Sequence, residues 1–252
     1  FDNPLTLEGI ALGKKLFSDK ILSGNRSISC AHCHRLQEAF SHSLQFSEGA
    51  NGTFGKRNSM PLFNLAWNFD ELFAWDGQDF SLENKAFEPV SNPLEMNADW
   101  KNIEKRLNNH VTFPTLVKQE FGTSVIDSNL IVKAIAQFER TLISADSKFD
   151  RYLLGDATLT PEDQNGCNVF MDEEKGDCFH CHGSILFTDN SFHNNGLDST
   201  FMDIGLAMIS GKENDTGKFK TPTLRNITLT APYLHDGRFQ TLEEVIDFFS
   251  AG

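Results

Sequence analysis

The chain has 252 residues, enough for one large or two modest domains with their own hydrophobic cores. Its formal net charge of −13 argues against a nucleic-acid partner, because phosphate binding requires clustered Lys and Arg. The sequence contains no apolar run of the roughly 18 residues that a membrane span requires. It also opens without a signal-peptide pattern, so we expect any export signal to have been removed.

Helical periodicity runs through the chain, with little strand-like alternation. Thr6 begins the first predicted helix, and Asn97 is a candidate cap for a second. Residues 129–143 carry the most continuous apolar stripe and predict a third helix. Toward the C-terminus, Thr160 is followed by Pro at the first helical position, and Thr241 opens a capping box. These signals predict a mostly α-helical protein.

Two long loops rich in Asn, Gly and Ser separate the predicted helices, at residues 47–59 and 189–220. Irregular segments of this length are unusual unless something orders them, and a large cofactor can do so. The one repeat we identify is a Cys-x-x-Cys-His motif, present once in each half. We therefore expect two domains, 1–147 and 148–252, with one motif in each.

Cys-x-x-Cys-His is typical of covalent haem attachment. Two thiols on one helical turn match the spacing of the haem vinyl groups, and the adjacent His meets the iron. A zinc site or redox disulfides are the alternatives, but neither explains a His at the same position twice. The motifs consist of Cys30, Cys33 and His34, and of Cys178, Cys181 and His182.

The remaining cysteine, Cys167, lies in a helical stretch and is interpreted as a buried core residue. Trp67 is likewise interpreted as core. Four further histidines are candidates for a second iron ligand, although each is more simply a surface or hydrogen-bonded loop residue. They are His42, His110, His193 and His235.

Several sequence blocks occur in the same order as in the bacterial dihaem cytochrome c peroxidase family, which includes MauG. The chain resembles this family over nearly its whole length. The blocks are Leu12-Gly13-Lys14-Lys15-Leu16-Phe17, Ser29-Cys30-Ala31-His32-Cys33-His34, Gly55-Lys56-Arg57-Asn58, Phe73-Ala74-Trp75-Asp76-Gly77, Pro93-Leu94-Glu95-Met96, Phe187-Thr188-Asp189-Asn190, residues 218–226 and residues 230–237.

The resemblance implies roles for individual residues. The haem on His34 would be peroxidatic, with Glu95 as its distal acid–base residue. Trp75 would lie between the two haems and relay electrons. A calcium ion would join the domains and take oxygen ligands, as this ion requires. The implied calcium ligands are Asn58, Thr230 and the carbonyl of Pro232.

The sequence departs from the family pattern in three places. Residues 47–56 contain no His, whereas many members have one there that binds the peroxidatic iron until reduction. Lys85 stands where the family usually has a distal-pocket Gln. Phe249 occupies the position of the Met or Tyr that binds the second iron, and it has no lone pair to donate. We also expect the family's helical C-terminal domain to continue beyond Gly252.

These observations predict two cytochrome-c-like helical domains, each carrying one covalently bound c-type haem, with one calcium ion between them. The expected activity is reduction of hydrogen peroxide by a small donor such as cytochrome c or a cupredoxin, in the periplasm. A homodimer is compatible with the resemblance. MauG-like oxidation of a partner protein and non-catalytic electron transfer are the alternatives. A reaction with peroxide distinguishes an enzyme from a carrier.

Overall fold

The computed structural model describes residues 2–70, 72–78 and 81–251. The described chain is mostly helical, as predicted, and none of its helices is long and apolar enough to cross a bilayer. The helices are α1 (Leu7–Ser18), α2 (Cys30–Cys33), α3 (Leu82–Ser91), α4 (Trp100–Asn108), α5 (Phe113–Phe121), α6 (Ser128–Glu139), α7 (Lys148–Leu153), α8 (Pro161–Met171), α9 (Phe179–His182), α10 (Ala207–Ser210) and α11 (Leu242–Ser250).

The long loops contain short regular elements. Strands β1 (Phe192–His193) and β2 (Phe219–Lys220) pair antiparallel, with Phe192 opposite Lys220. Together with α10, they give the predicted loop 189–220 more regular structure than its composition suggests. Single turns of 3-10 helix occur at Lys20–Leu22, Leu36–Glu38, Leu65–Trp67, Glu213–Asp215 and Ile227–Leu229.

Three of the predicted helix starts are confirmed by their caps. The Thr6 side chain accepts a hydrogen bond from the Gly9 amide at the start of α1. Thr160 and Thr241 each form a complete capping box at the start of α8 and α11. Each cap satisfies amide donors that the helix itself leaves without partners.

The prediction that Asn97 caps a helix is wrong. Asp99 caps α4, and its carboxylate accepts a hydrogen bond from the Asn102 amide. Asn97 has left-handed backbone with φ 46°, a conformation that belongs to the preceding turn. Both are good capping residues, so local sequence could not separate two candidates so close together.

The hydrophobic core lies in the N-terminal half, where α1 packs along α6. Leu16 and Ile131 are fully buried between these helices. A Cβ on Gly13 would come within 1.9 Å of the Ala134 carbonyl oxygen, so this close approach requires Gly. The aromatic ring of Phe17 lies at the edge of this contact, 5.2 Å from that of Phe138.

The C-terminal half has a different interior. Among its described residues after position 147, the buried apolar side chains are Ala207 and Tyr233. The prediction of a buried Cys167 is wrong, because this side chain is half-buried on the weakly amphipathic α8. Trp67, in the N-terminal half, is also not core, since its side chain is 40% exposed at the end of a 3-10 turn.

Ser144 lies where the two halves meet, shortly before the predicted domain boundary. Its amide donates to the Asn64 side-chain oxygen and its carbonyl accepts from the same side chain, both at 2.9 Å. The Asn226 side chain donates to the Ser144 hydroxyl, also at 2.9 Å. One residue of the connecting segment is thus hydrogen-bonded to both halves.

Candidate functional site

The first Cys-x-x-Cys-His motif begins on α2, which is a single turn from Cys30 to Cys33. His34 ends this turn, and its Nδ1 lies 3.0 Å from the Phe40 carbonyl oxygen. Because a carbonyl can only accept, Nδ1 carries the proton and Nε2 keeps a lone pair for a metal. Burial lowers the pKa of His34 to about 4, so the ring is neutral, as a metal ligand must be.

The second motif repeats this geometry. Cys178 precedes the short helix α9, and His182 is its last residue. His182 Nδ1 donates a proton to the Phe187 carbonyl oxygen at 2.7 Å, which again leaves Nε2 available. Burial lowers the pKa of His182 as well.

The donor chemistry of both motifs fits a covalently attached haem. Each offers two thiols on one turn and an imidazole with an available Nε2. Burial raises the pKa of Cys33 to about 11 and holds that of Cys30 higher still, so these thiols are protonated. All five cysteines are free in the structure, so neither motif forms a disulfide.

The similarity between the halves extends past the motifs, a repeat that sequence reasoning missed. Phe40 and Phe187, whose carbonyls hold the two His rings, both have left-handed backbone, with φ of 56° and 53°. Each is followed by a hydroxyl residue whose side chain donates to a distant carbonyl. These bonds run from Ser41 to Ser59 (2.8 Å) and from Thr188 to Thr221 (2.6 Å).

The repeat continues to the distal helices. Both Gly55–Asn64 and Gly217–Asn226 begin Gly-Lys and end in an Asn with left-handed backbone that caps a 3-10 turn. Later, Ala-Trp-Asp-Gly at 74–77 corresponds to Leu-His-Asp-Gly at 234–237. Each stretch is followed, four residues after its Gly, by a hydroxyl residue that caps a helix: Ser81 caps α3 and Thr241 caps α11. Counted from these caps, Phe249 corresponds to Pro89.

A chain of polar side chains runs from α3 toward the first motif. Lys85 Nζ lies 3.5 Å from a carboxylate oxygen of Glu88, and Asn92 donates to both Glu88 and Glu95 at 2.8 Å. The charge of Glu95 contributes, after burial, to the raised pKa of Cys33. The predicted site residues Lys85 and Glu95 therefore lie in one hydrogen-bonded chain beside the first motif.

Loop 47–56, which contains no His, lies against this chain. The Ala50 amide donates to the Glu95 carbonyl oxygen at 2.7 Å. A hydrogen bond from the Ser47 side chain moderates the raised pKa of Cys33. The loop thus contacts both the motif and the segment that carries Glu95.

Trp75 joins the two halves. Its side chain is 8% exposed, and its indole Nε1 donates to the Asn58 carbonyl at 2.9 Å. Its own carbonyl accepts from the Lys220 amide, also at 2.9 Å. Beside it, Arg57 binds Asp203 of the other half through two hydrogen bonds of 2.7 and 2.8 Å.

The residues implied as calcium ligands come from two distant parts of the sequence that are hydrogen-bonded to each other. The Asn58 amide donates to the His235 carbonyl at 2.7 Å, so Asn58 lies against the segment that contains Thr230 and Pro232. Asn58 and Thr230 are both buried. The Thr230 hydroxyl donates to the Ile227 carbonyl, which leaves its oxygen lone pairs available.

Sequence reasoning assigned no role to the buried titratable residues Glu139 and Lys220. Glu139 is 7% exposed, and burial raises its pKa to about 8. It contributes to the raised pKa of Cys30, so it lies on the side of α6 that faces the first motif. Lys220, next to Trp75, has its pKa lowered by burial to about 8, and its amine donates to Asn190. For Glu139, the signal available in the sequence was a carboxylate next to the apolar stripe of α6.

The other histidines have local partners. His42 is fully buried and accepts from the Leu44 amide, while His235 stacks on Phe219 at 3.6 Å. His193 pairs with Asp189 at 2.7 Å. Among the described residues, Cys181, Asp189 and His193 could together hold a metal ion, but thioether formation would engage the Cys181 sulfur.

Comparisons with known proteins agree with this geometry. Residues 7–158 match the model of the di-haem cytochrome c peroxidase family. The chain is 36% identical to the methylamine utilization protein MauG of Methylophilus methylotrophus, covering 99% of this chain and 74% of that protein. It is 35% identical to the cytochrome c peroxidase Ccp of Escherichia coli strain K12, covering 96% of this chain and 53% of that protein.

A solved structure shares the fold closely. The crystal structure of a MauG-like protein associated with microbial copper homeostasis superposes with a TM-score of 0.91 at 36% identity. The alignment covers 98% of this chain and 77% of that one. Sequence and fold thus lead to the same family as the two haem-binding motifs. The chain belongs to the di-haem cytochrome c peroxidase family, a family of oxidoreductases that includes MauG.

Proposed function

We propose that the chain reduces hydrogen peroxide to two water molecules, using two protons and two electrons from a small donor such as a cytochrome c or a cupredoxin. The observation that carries the proposal is Glu95, a carboxylate held by Asn92 beside the first haem-binding motif. A peroxidase needs such a group to move a proton between the two peroxide oxygens. A pure electron carrier does not.

Haem attachment would use Cys30, Cys33 and His34 in one half, and Cys178, Cys181 and His182 in the other. When bound, the haem supplies the redox centre for cleavage of the O–O bond. The protein's part is to orient each proximal His through its Nδ1 hydrogen bond and to keep its ring neutral. Trp75 offers a buried aromatic ring for electron relay, and the residue contacts both halves, through its indole N–H to Asn58 and its carbonyl to Lys220.

Lys85 supports Glu95 through the polar chain that Glu88 and Asn92 complete. A positive charge near Glu95 favours its ionised, proton-accepting form. Because residues 47–56 contain no His, this loop would supply no second imidazole ligand to the iron that His34 would bind. We therefore expect a reaction with peroxide without prior reduction.

Calcium would bind Asn58, Thr230 and the Pro232 carbonyl, with water completing the shell because these donors are few. The hydrogen bond from the Asn58 backbone amide to the His235 carbonyl supports this site, since it joins the two segments that supply the ligands. The family membership also favours the periplasm as location. The homodimer that is compatible with the family can be tested by sedimentation of the holoprotein.

The test is to purify the protein with both haems and add peroxide and reduced cytochrome c. Peroxide-dependent oxidation of the donor at many turnovers is expected. MauG-like function is the second candidate, supported by the 36% identity to a MauG protein across nearly the whole chain. It would give slow donor oxidation but fast peroxide consumption once a partner protein is present. No reaction with peroxide would leave only electron transfer.

A further inference from the structure

Arg225 makes an unusually complete set of contacts in the C-terminal half. Its side chain is 5% exposed and pairs with Asp150 through two hydrogen bonds of 2.9 and 2.7 Å. The same guanidinium donates from Nε and Nη2 to the Ile185 carbonyl, at 3.0 and 2.7 Å. A planar guanidinium can satisfy both partners at once because its donors point in fixed directions.

The Ile185 contact is one of three in a row. Carbonyls 185, 186 and 187 accept hydrogen bonds from the Arg225 side chain, the Thr223 hydroxyl (2.5 Å) and the Leu224 amide (3.2 Å), respectively. Residues 223–225 thus hold three consecutive carbonyls. The last of these, on Phe187, is the acceptor for His182 Nδ1 at 2.7 Å.

Phe187 needs this support because its backbone is left-handed, with φ 53°, which disfavours a bulky residue. The Arg225 guanidinium also lies 5.4 Å from the centre of the Phe187 ring. Together these contacts fix where the Phe187 carbonyl points. The direction of that carbonyl in turn sets the length and angle of the bond to His182.

The N-terminal half reaches the same geometry by other means. The position that corresponds to Arg225, immediately before the left-handed Asn, is Phe63, a buried apolar residue. There the left-handed Phe40 packs its ring 6.4 Å from that of Phe17 in the core. We call Arg225, its partner Asp150 and the bonds from residues 223–225 to carbonyls 185–187 the clamp. Of the two motifs, the second has this clamp and the first does not.

We propose that Arg225, paired with Asp150, is a positioning residue for His182, and that it tunes the reduction potential of the haem bound there. The inference rests on the proposed haem attachment. A firm Nδ1–H hydrogen bond makes the imidazole more basic and stabilises the oxidised iron. The clamp therefore keeps the potential of the second haem low relative to a looser arrangement.

The experiment is an equilibrium redox titration of the di-haem holoprotein, without peroxide, for wild type and Arg225→Lys. Lysine keeps the positive charge but cannot bind the Asp150 carboxylate and the Ile185 carbonyl at the same time. A change in the haem potential would therefore report the lost geometry and not a change in net charge. We expect the second haem to become about tenfold easier to reduce at a fixed applied potential, which corresponds to ~59 mV for one electron. The His34 haem should titrate unchanged.

Arg238→Lys is the matched control, because Arg238 forms a similar two-bond ion pair with Asp198 that lies outside the clamp. It should alter neither potential. Lower thermal stability in Arg225→Lys with both potentials unchanged would overturn the inference, because the pair would then be only structural.

Arg225→Lys could fail to retain both haems, and Thr223→Val then replaces it. This variant removes the bond to the Leu186 carbonyl and the bond that the Thr223 hydroxyl accepts from the Arg225 amide, and it changes no charge. A smaller shift of the second haem in the same direction supports the clamp, and an unchanged potential overturns it. Wild-type protein without haem at Cys178 and Cys181 would overturn the proposed function as well. A di-haem protein with unshifted potentials would overturn only this inference.

Discussion

The two halves of the chain hold the His of the Cys-x-x-Cys-His motif by the same hydrogen bond but have different interiors. In both, a left-handed Phe presents its carbonyl to the Nδ1 of the motif His. In the first half this Phe lies against the apolar core around Phe17. In the second half it is held by the buried pair of Arg225 with Asp150.

The same local turn is thus kept in both halves, while the side chains that hold it in place differ. Apolar packing stabilises the first half through burial, at about 25 cal/mol per Å². A buried ion pair contributes little net free energy but strongly penalises loss of either partner, so it provides direction more than stability. Among its described residues, the second half buries few apolar side chains, namely Ala207 and Tyr233. We therefore expect its order to depend more on haem.

The largest expected effect concerns chemistry that only the first half carries. Glu95→Gln should slow the reaction with peroxide by about 100-fold or more, the usual scale for loss of an acid–base group. Stopped-flow mixing of holoprotein with peroxide measures it. Lys85→Gln should be much milder, and Glu8→Gln, on the exposed face of α1, should match wild type. A Glu95→Gln variant with the wild-type rate would remove Glu95 from the mechanism.

Loss of haem attachment should affect the two halves unequally. With Cys178 and Cys181 changed to Ala, limited proteolysis should cut the chain after position 147 and leave the N-terminal half intact, because α1 and α6 carry their own core. With Cys30 and Cys33 changed to Ala instead, the helical circular dichroism should fall much less than it does in the Cys178 and Cys181 variant. Equal digestion of both halves in the first variant would show that the apolar core is not self-sufficient.

The halves should also respond oppositely to pH. Glu139 has a folded-state pKa raised to about 8 by burial, so the folded state binds its proton more tightly than the unfolded chain. Its contribution to stability is greatest below about pH 4.5 and is lost as pH rises to 8. Hydrogen bonds from Arg225 lower the pKa of Asp150, whose contribution is present near neutrality and lost as pH falls below its ordinary range.

Urea unfolding of the holoprotein between pH 3 and about pH 9 checks both signs. Glu139→Gln should remove the loss of stability between pH 5 and about pH 8, and Asp150→Asn should remove the acid-side loss. Glu8→Gln, an exposed carboxylate, should change neither limb. The same slopes in Glu139→Gln as in wild type would rule out Glu139 as the titrating group.

The smallest expected effect is spectroscopic and concerns the distal side of the second haem. Phe249 and Pro89 occupy corresponding positions on α11 and α3, and neither side chain has a lone pair. We expect Phe249 to pack near the His182 haem without bonding to it. If neither Met202, Met208 nor a residue beyond Gly252 takes the position instead, that haem should be high-spin and bind cyanide or carbon monoxide.

Phe249→Met sharpens this comparison, because it places a sulfur ligand at the matching position. The variant should become low-spin at the second haem and gain a sulfur-to-iron charge-transfer band. Phe248→Met, on the neighbouring half-buried position, is the control and should keep the wild-type spectrum. That band in wild-type protein would show that another Met already binds the iron.

Features that depend only on residues close together in the chain could be predicted from the sequence. Capping at Thr6, Thr160 and Thr241 and the apolar stripe of α6 followed from local hydrogen bonding and periodicity. The two Cys-x-x-Cys-His motifs followed from residue type and spacing, and haem attachment to them stays a prediction. The family was also evident from the order of short blocks. Roles of Glu95, Trp75 and the calcium ligands, and the domain boundary at 147, stay predictions.

The contacts by which distant segments support these motifs became visible only in the folded structure. Arg225 lies 75 residues from Asp150, and the Trp75 carbonyl is reached by Lys220 from the other half. Burial of Glu139 depends on how α6 packs, which shifts its pKa in a way that its neighbours in sequence do not reveal. Long-range contacts depend on how the whole chain closes on itself, and no periodic pattern records that.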